Sequence, residues 1–313
     1  MKYFGLQSQI RKNNTNSVLL LVMFPLVFIG LAWLFFFLTT MAFPQEQATT
    51  ADVNHAFLRT IPWITIGVIV WFTIAWFSHT SIINNATDSR PLERSENKRV
   101  YNIVENLCIS TGMTTPKICI IEDDSLNAFA SGIDSKTYTI SLSRGIIDKL
   151  NDDELEAVVA HELTHIRNRD VRLLIISIIF VGIFAFLAEM LFRSLQFGRI
   201  GGRGKKGGYS ILIALLLAAI GYLLATLFRF ALSRKREYLA DAGSVELTHR
   251  PLSLASALRK VAADPTIEAV KRKDIAQMFI ENPQKEEKKK SFSIGLFATH
   301  PPIEKRIALL EQY

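Results

Sequence analysis

His161 and His165 are the two residues whose spacing most directly suggests chemistry. Four residues apart on a helix, they lie about 40° apart around its axis and about one turn apart along it, so both imidazoles can reach one metal ion. Glu162, beside the first histidine, is placed to hold an attacking water as a general base. Zinc prefers nitrogen ligands and keeps one position open at catalytic sites. The pattern therefore predicts the centre of a zinc-dependent hydrolase.

The segment that carries this motif has the features of a partly buried helix. Residues 152–168 begin with acidic side chains, which suit the positive end of a helix dipole. The alternative is an amphipathic helix with two surface histidines. Apolar residues around the motif favour burial instead: Val158, Val159, Ala160 and Leu163.

A third metal ligand is offered by Glu237. A site of the gluzincin type takes such a glutamate from a separate helix, and Asp241 follows Glu237 one turn later on the same face. Asp241 could accept the second ring proton of a ligating histidine and so fix its tautomer. An acidic pair on a solvated helix is the alternative. Together with the histidine motif, the pair favours a site for one Zn²⁺ per chain.

The elements that must position these residues are those of a membrane protein. The chain has 313 residues, of which 49% are hydrophobic and 21% charged, and its mean hydropathy is +0.22. A soluble domain of this length usually averages below zero, so some segments should lie in lipid. The 16 glycines and 10 prolines exclude a collagen-like chain, and the apolar content excludes a mostly disordered one.

Four apolar runs are long enough for a helix that crosses a bilayer, which needs about 20 residues. They cover residues 17–44, 61–83, 173–192 and 209–232. The first is too long for a cleaved signal peptide and is interpreted as an uncleaved span. The stretch 193–208, rich in glycine and basic residues, separates the last two runs into a hairpin.

These runs divide the chain into four parts. Residues 1–87 form an N-terminal membrane region with two transmembrane helices, and residues 171–233 form a transmembrane or membrane-associated helical hairpin. Residues 88–170 and 234–313 are then the two parts of one metalloprotease domain, which the hairpin splits.

Apolar periodicity supplies the secondary structure of that domain. It predicts helices at 93–112 and 252–263 and strands at 117–121 and 137–142. The expected fold class is α+β, mainly helical: an integral membrane zincin with about four transmembrane helices and a split catalytic domain that contains a small sheet.

Charge and cysteine content restrict the partners. The net charge is +7, but lysine and arginine collect beside the apolar runs, as in proteins anchored at a lipid bilayer. We therefore expect no nucleic-acid partner.

The two cysteines, Cys108 and Cys119, are too few for a disulfide framework and lack metal-ligand spacing. The charge run 284–290 is interpreted as a solvated loop. The sequence leaves the oligomeric state open.

The motifs together resemble those of the M48 metalloproteases, and within them the HtpX-type membrane peptidases rather than the longer Ste24 type. The resemblance extends over most of the chain. It rests on the N-terminal spans, the HELTH helix, the apolar hairpin, the Glu237 to Asp241 motif, Asn127-Ala128-Phe129-Ala130, and Thr299-His300-Pro301-Pro302 followed by Arg306.

The resemblance implies a role for each matching residue. The zinc ligands would be His161, His165 and Glu237, with Glu162 as general base and acid and Asp241 orienting a ligand. His300 and Arg306 are expected near the substrate carbonyl, although His300 has the alternative of an ordinary loop residue. An edge strand that faces substrate is expected at Asn127, Ala128, Phe129 and Ala130, with a structural turn as the alternative.

The expected activity is that of a membrane-embedded zinc endopeptidase. Glu162 would take a proton from the attacking water and return it to the leaving amine. If both helices continue, the short chain distances from His165 to Leu173 and from Leu232 to Glu237 put the metal within roughly 10 Å of the hydrophobic boundary. The resemblance implies misfolded or membrane proteins as substrates, in quality control at a bacterial inner membrane. The positive-inside rule favours a cytoplasmic active site.

Two other functions are alternatives. A catalytically inactive metal-binding scaffold is disfavoured because the predicted ligands and base are all present. A transporter-like protein is disfavoured because Glu189 is the charged residue inside a predicted span, and Arg193 four residues later can pair with it.

Overall fold

Helices form most of the computed structural model of this protein, which describes residues 6–42, 49–197, 205–264, 278–280 and 301–313. In chain order the described elements are α1 (Leu6–Ala42), α2 (Thr50–Thr87), β1 (Ser89–Pro91), α3 (Lys98–Thr111), β2 (Lys117–Ile121), β3 (Ala128–Ser131), β4 (Thr139–Ser143), α4 (Arg144–Lys149), α5 (Asp152–Asn168), α6 (Asp170–Phe197), α7 (Lys205–Thr248), α8 (Pro251–Ala263) and α9 (Ile303–Leu310). The predicted class, mainly helical with a small sheet, is confirmed.

Each of the four predicted spans lies in a long helix. The segments apolar and long enough to cross a membrane are Ile10–Ala42 of α1, Thr50–Thr87 of α2, Asp170–Ser194 of α6 and Tyr209–Thr226 of α7. Three of them extend beyond the apolar runs seen in the sequence because polar flanking residues continue the helix. The fourth lies in α7, which continues as helix beyond the apolar run to Thr248.

The described residues form two compact units. One unit holds the described residues of Met1–Thr15, Ser78–Ile175 and Phe230–Tyr313, and the other holds those of Asn16–Phe77 and Ile176–Arg229. The first unit contains the sheet and α5, and the second contains the central parts of the apolar helices. The four-part division expected from the sequence stays a prediction.

Aromatic contacts join the helices within the second unit. The ring of Phe24 in α1 stacks on Phe180 in α6 with centroids 4.0 Å apart, and the indole of Trp71 in α2 donates to the carbonyl of Ile179 at 3.3 Å. Trp63 and Phe77, both on α2, are 73% and 80% exposed. Large apolar side chains are rarely so exposed to water in groups, and this face suits lipid.

A four-stranded sheet lies in the first unit, in the order β1-β2-β4-β3. The central strands β2 and β4 are parallel, whereas β1 and β3 pair antiparallel to their neighbours. The predicted strand at 117–121 is confirmed as β2. The second predicted strand begins at Thr139 rather than 137, because Thr137 belongs to a turn in which its N–H donates to the Asp134 carbonyl at 3.0 Å.

The predicted helices of this unit begin where capping groups allow. Helix α3 begins at Lys98 rather than 93, since the side chain of Asn97 accepts the Val100 N–H at 3.0 Å, and it ends before Gly112, whose φ of 65° suits glycine. Helix α5 matches its predicted bounds. A capping box between Asn151 and Glu154 satisfies its first N–H groups.

Contacts with α8 hold α5 in place. The Glu154 carboxylate also accepts hydrogen bonds from Ser256 at 2.7 Å and Lys260 at 2.6 Å, both on α8. One face of α5 packs against β3, and Leu155, Val158 and Val159 are fully buried. The helix that carries the histidine motif is therefore fixed at its start and along its length.

The helix is interrupted between α5 and α6. Arg169 adopts a left-handed conformation with φ of 59°, and α6 starts at the next residue. The distance estimated from the sequence assumed two unbroken helices. That assumption is right for α7, which runs through Glu237, and wrong for the connection between His165 and Leu173.

Candidate metal centre

Three side chains from two helices converge in the first unit. His161 and His165 come from α5 and Glu237 comes from α7, and their ligand atoms all lie within 4.8 Å of one another. The two Nε2 atoms are 3.2 Å apart, and Glu237 carboxylate oxygens lie 3.7 Å from His161 Nε2 and 3.8 Å from His165 Nε2. These are the residues that the sequence predicts as metal ligands.

The donor set fits a zinc ion. Two nitrogen ligands bound tetrahedrally at about 2.05 Å from zinc would be about 3.3 Å apart, close to the Nε2 separation observed. Two imidazoles and a carboxylate are also a ligand set found in catalytic zinc sites, which leave a fourth position for water or substrate. The residues present therefore suit the metal that the sequence motif implies.

A carboxylate orients each imidazole from behind. His165 Nδ1 is within hydrogen-bond distance of Asp170 Oδ2 at 3.1 Å. His161 Nδ1 lies 3.0 Å from Asp241 Oδ1, an ion-pair contact that lacks the alignment of a hydrogen bond. A Nδ1–H that donates to a carboxylate leaves the Nε2 lone pair free for a metal and fixes the ring direction. Both rings thus present Nε2 to the same point.

Asp170 was not identified from the sequence. It is five residues beyond His165, a spacing that would put it about 140° around an unbroken helix from the histidine. Arg169, in a left-handed conformation, ends α5 and changes the direction of the chain. As a result Asp170, the first residue of α6, faces the His165 ring. An acidic residue two positions after the end of the motif helix was the available signal.

Arg306 lies behind Asp241. Its Nε and Nη2 donate to the two oxygens of Asp241 at 2.9 and 2.7 Å, and the side chain is completely buried. Its Nη1 lies 3.7 Å from a Glu237 oxygen. The expectation that Arg306 lies near the substrate carbonyl stays a prediction, and the structure adds that its guanidinium binds the carboxylate of Asp241.

Burial and these charges shift the pKa values at the centre. Burial opposes ionisation of Asp241, but Arg306 and His161 lower the pKa of its carboxyl to about 2. Burial likewise opposes protonation of His165, but Asp170 raises the pKa of that imidazole to about 9. The Asp241 carboxylate therefore remains charged near neutral pH.

Glu162 projects into the same buried region. Glu162 is only 1% exposed, and burial raises the pKa of its carboxyl. Among the described residues, its Oε2 has no hydrogen-bond partner. A buried carboxylate oxygen without a partner is costly unless it serves a function or meets a bound water.

The structure describes four of the remaining predicted site residues, and a fifth lies outside it. Ala128, Phe129 and Ala130 belong to β3 at the end of the sheet, and Asn127 directly precedes it. All four are buried. His300 lies outside the described residues, as does the charge run 284–290.

Replacing either orienting carboxylate is expected to weaken zinc binding. Asp170→Asn and Asp241→Asn should each lower zinc affinity by about 10 to 100-fold, because the amide keeps an acceptor for Nδ1–H but loses the charge that makes the ring a better ligand. Competition with a chromogenic chelator measures this. Asp148→Asn, an exposed acid on α4, is the matched control. An affinity in Asp170→Asn equal to that of the control would remove Asp170 from the centre.

Comparisons with known proteins agree with this arrangement. The model of Peptidase family M48 matches residues 94–313. A "Protease HtpX homolog" of Bacteroides fragilis strain YCH46 is 58% identical over 322 residues, which is 100% of both chains. A protein of the same description from Dictyoglomus turgidum is 41% identical over 78% of this chain and 81% of its own.

A solved structure is also similar. The crystal structure of S. mikatae Ste24p has a TM-score of 0.47 and 19% identity, over 96% of this chain and 67% of that chain. The family assignment comes from the sequence matches, which cover most or all of the chain. On that basis the chain belongs to peptidase family M48, among its HtpX-type members.

Proposed function

We propose that this metalloprotease of the membrane is a zinc-dependent endopeptidase that cleaves membrane proteins or segments close to the bilayer, in membrane protein quality control. The observation that carries the proposal is the convergence of His161, His165 and Glu237, with Glu162 beside them. The quality-control role rests on the similarity to HtpX-type proteases.

The roles of the side chains follow from their positions. His161, His165 and Glu237 would hold the zinc ion, and Asp241 and Asp170 would keep the two imidazoles aimed at it. When bound, zinc would polarise a peptide carbonyl and make a water molecule a stronger nucleophile. Glu162 would take the proton of that water and deliver it to the leaving amine.

The contacts disfavour the inactive scaffold. A scaffold needs the three ligands but has no use for Glu162, whose buried oxygen lacks a hydrogen bond among the described residues. Keeping a carboxylate in that condition costs stability, which a proton-transfer role explains.

The contacts also disfavour the transporter. In the described part of the second unit, Glu189 and Arg193 pair at 2.6 Å on an exposed face. A cavity of about 290 Å³ in that unit is lined mainly by apolar side chains, among them Phe28, Phe36, Phe184 and Leu217. Substrate pathways of transporters need polar or ionisable groups inside the bundle, and this cavity offers only Thr60.

Removal and return of the metal test the proposal directly. The purified protein is expected to cleave an unfolded substrate such as casein, to lose this activity after chelation, and to regain it with stoichiometric Zn²⁺. Stoichiometric zinc binding without cleavage would instead support the scaffold. Crosslinking Glu162→Gln protein in native membranes and identifying the trapped proteins would show whether membrane proteins reach the site.

The distribution of basic residues supports a cytoplasmic catalytic unit in a bacterial inner membrane. Loops beside membrane spans carry more lysine and arginine on the cytoplasmic side. On that side the proposed topology places Lys2, Arg11, Lys12, Arg90, Arg94, Lys98, Arg99, Arg167, Arg169, Arg172, Arg229, Arg234, Lys235 and Arg236. In the sequence, Arg59 alone lies in the proposed first outer loop, residues 49–60. Five basic residues within 193–206 oppose the assignment, and we give more weight to the larger set and to the earlier spans.

Cysteine labelling in whole cells tests this topology. In a Cys108→Ala, Cys119→Ala background, a membrane-impermeant maleimide is expected to label Thr50→Cys and Tyr209→Cys from outside and Ser110→Cys only after cells are opened. All three positions are exposed. External labelling of Ser110→Cys would reverse the orientation. Labelling of Tyr209→Cys only from the cytoplasmic side would show that the hairpin does not cross.

A further inference from the structure

The outer edge of β3 is occupied by the protein's own chain. One edge of β3 pairs with β4, and β3 ends the sheet, so its other edge would present unpaired backbone groups. Residues Met278–Ile280, which we call the edge segment, lie antiparallel along it. Phe279 pairs with Phe129, and the Ile280 N–H donates to the Ala128 carbonyl at 2.8 Å.

Side chains close this contact to solvent. The rings of Phe129 and Phe279 have centroids 4.6 Å apart at an angle of 57°, a favourable cross-strand aromatic pair. Phe129 is completely buried, and Phe279 and Ile280 are 1% and 2% exposed. In this arrangement an extended polypeptide from outside cannot pair with β3.

The edge segment also reaches the metal centre. The Ile280 carbonyl accepts a hydrogen bond from Arg306 Nη1 at 3.2 Å, the same nitrogen that lies 3.7 Å from the Glu237 carboxylate. Since β3 packs on the helix that carries both histidines, the segment runs from the edge strand to the residues that support the ligands. The carboxylate of Glu162 is also buried away from solvent. A peptide carbonyl can reach it only after a rearrangement.

We infer that the edge segment is a built-in competitor of substrate, which holds the protease in a closed state until an extended substrate segment displaces it from β3. The inference rests on the proposed endopeptidase function. Pairing of a strand with an exposed sheet edge is a common way to bind extended peptides, because the backbone bonds do not depend on sequence. The described edge segment spans three residues, so a longer extended segment can replace its backbone bond to Ala128 and pair with more of β3.

A disulfide lock tests the inference. Phe129 and Phe279 face each other without a direct backbone bond, because the bond joins their neighbours, and such pairs have Cα atoms about 4.5 Å apart, within the range of a disulfide. The variant Phe129→Cys with Phe279→Cys is made in a Cys108→Ala, Cys119→Ala, Glu162→Gln background. Phe279→Cys alone is the control for loss of the ring.

Peptide affinity is the readout, so that no cleavage is required. Oxidation of the double-cysteine protein is expected to weaken binding of a fluorescently labelled unfolded casein fragment at least about tenfold, and reduction of the same sample should restore it. The single-cysteine control should not respond. Equal affinity in the oxidised and reduced forms would overturn the inference, as would failure of the disulfide to form. If the lock weakens binding but zinc-loaded protein with Glu162 intact does not cleave casein, only the proposed function is refuted.

A second pair of variants tests the opposite change, in which the edge segment is released from β3. Ile280→Pro removes the N–H that bonds to Ala128, whereas Ile280→Val keeps it with nearly the same shape. In protein with normal zinc content and unfolding temperature, Ile280→Pro is expected to bind the casein fragment several-fold more tightly and Ile280→Val to resemble the parent. Weaker binding by Ile280→Pro would show that the segment is a permanent part of the sheet and would contradict the inference.

Discussion

Glu162→Gln is expected to keep its zinc and to lose at least about a hundredfold in the rate of peptide hydrolysis, the lower range for removal of a general base. Glutamine has nearly the shape of glutamate but cannot accept the proton of the attacking water. The Glu162 side chain is buried beside the three ligands without being one of them. Metal content and structure should therefore survive while proton transfer does not.

The matched control is Glu156→Gln, a partly exposed acid on the same helix that pairs with Arg250. It should keep both zinc and activity. Zinc content by elemental analysis and cleavage of a quenched fluorescent peptide give the two readouts. Near-normal turnover by Glu162→Gln would exclude it as the base.

The ligand variants should show the opposite pattern. His161→Ala, His165→Ala and Glu237→Ala each remove one of the three converging donors and are expected to lose bound zinc together with activity. Two remaining ligands hold zinc far less tightly than three in a preformed site. Stoichiometric zinc in purified His161→Ala protein would contradict the assignment of that histidine.

Arg306→Gln is expected to have the largest effect on stability. Arg306 is completely buried and makes two bonds to Asp241. Removing one partner of a buried ion pair typically costs about 3–5 kcal/mol, because the other charge stays buried without compensation. The freed Asp241 should also hold His161 less well, so zinc affinity should fall by about 10 to 100-fold.

Two controls separate this positioning role from contact with substrate. Arg306→Lys keeps the charge but cannot make the two-pronged contact, and should recover only part of the loss. Arg306→Met combined with Asp241→Asn removes both charges and should be more stable than Arg306→Gln. Thermal unfolding and zinc titration measure both effects. A higher KM for Arg306→Gln with unchanged stability and zinc affinity would instead place Arg306 at the substrate.

Local features of this protein could be read from the sequence because they depend on nearby residues. The apolar runs predicted four helices long enough to cross a membrane, since a bilayer requires about 20 apolar residues in succession. The start of α5 followed from the acidic residues in its first turn. The proximity of His161 and His165 followed from their spacing of four residues on one helix.

Other parts of the centre depended on packing between distant segments. Glu237 follows His165 by 72 residues and Arg306 follows Asp241 by 65, and their contacts form only when α5, α7 and α9 pack together. Motif resemblance selected Glu237 correctly as a neighbour of the histidines, but it could not show that Arg306 faces Asp241. A side chain's direction depends on the angle at which two helices meet, which no local pattern encodes.

Two features were decided by the tertiary structure alone. Asp170 faces His165 because a single left-handed residue, Arg169, ends α5 at that point, and such a conformation at arginine has no clear sequence signal. The edge of β3 is covered because Met278–Ile280, about 150 residues further along the chain, pairs with it. The sequence alone determined which side chains were available for metal chemistry. The packing of distant segments decided which of them support the ligands and how substrate can reach them, because contacts between distant residues depend on the whole fold.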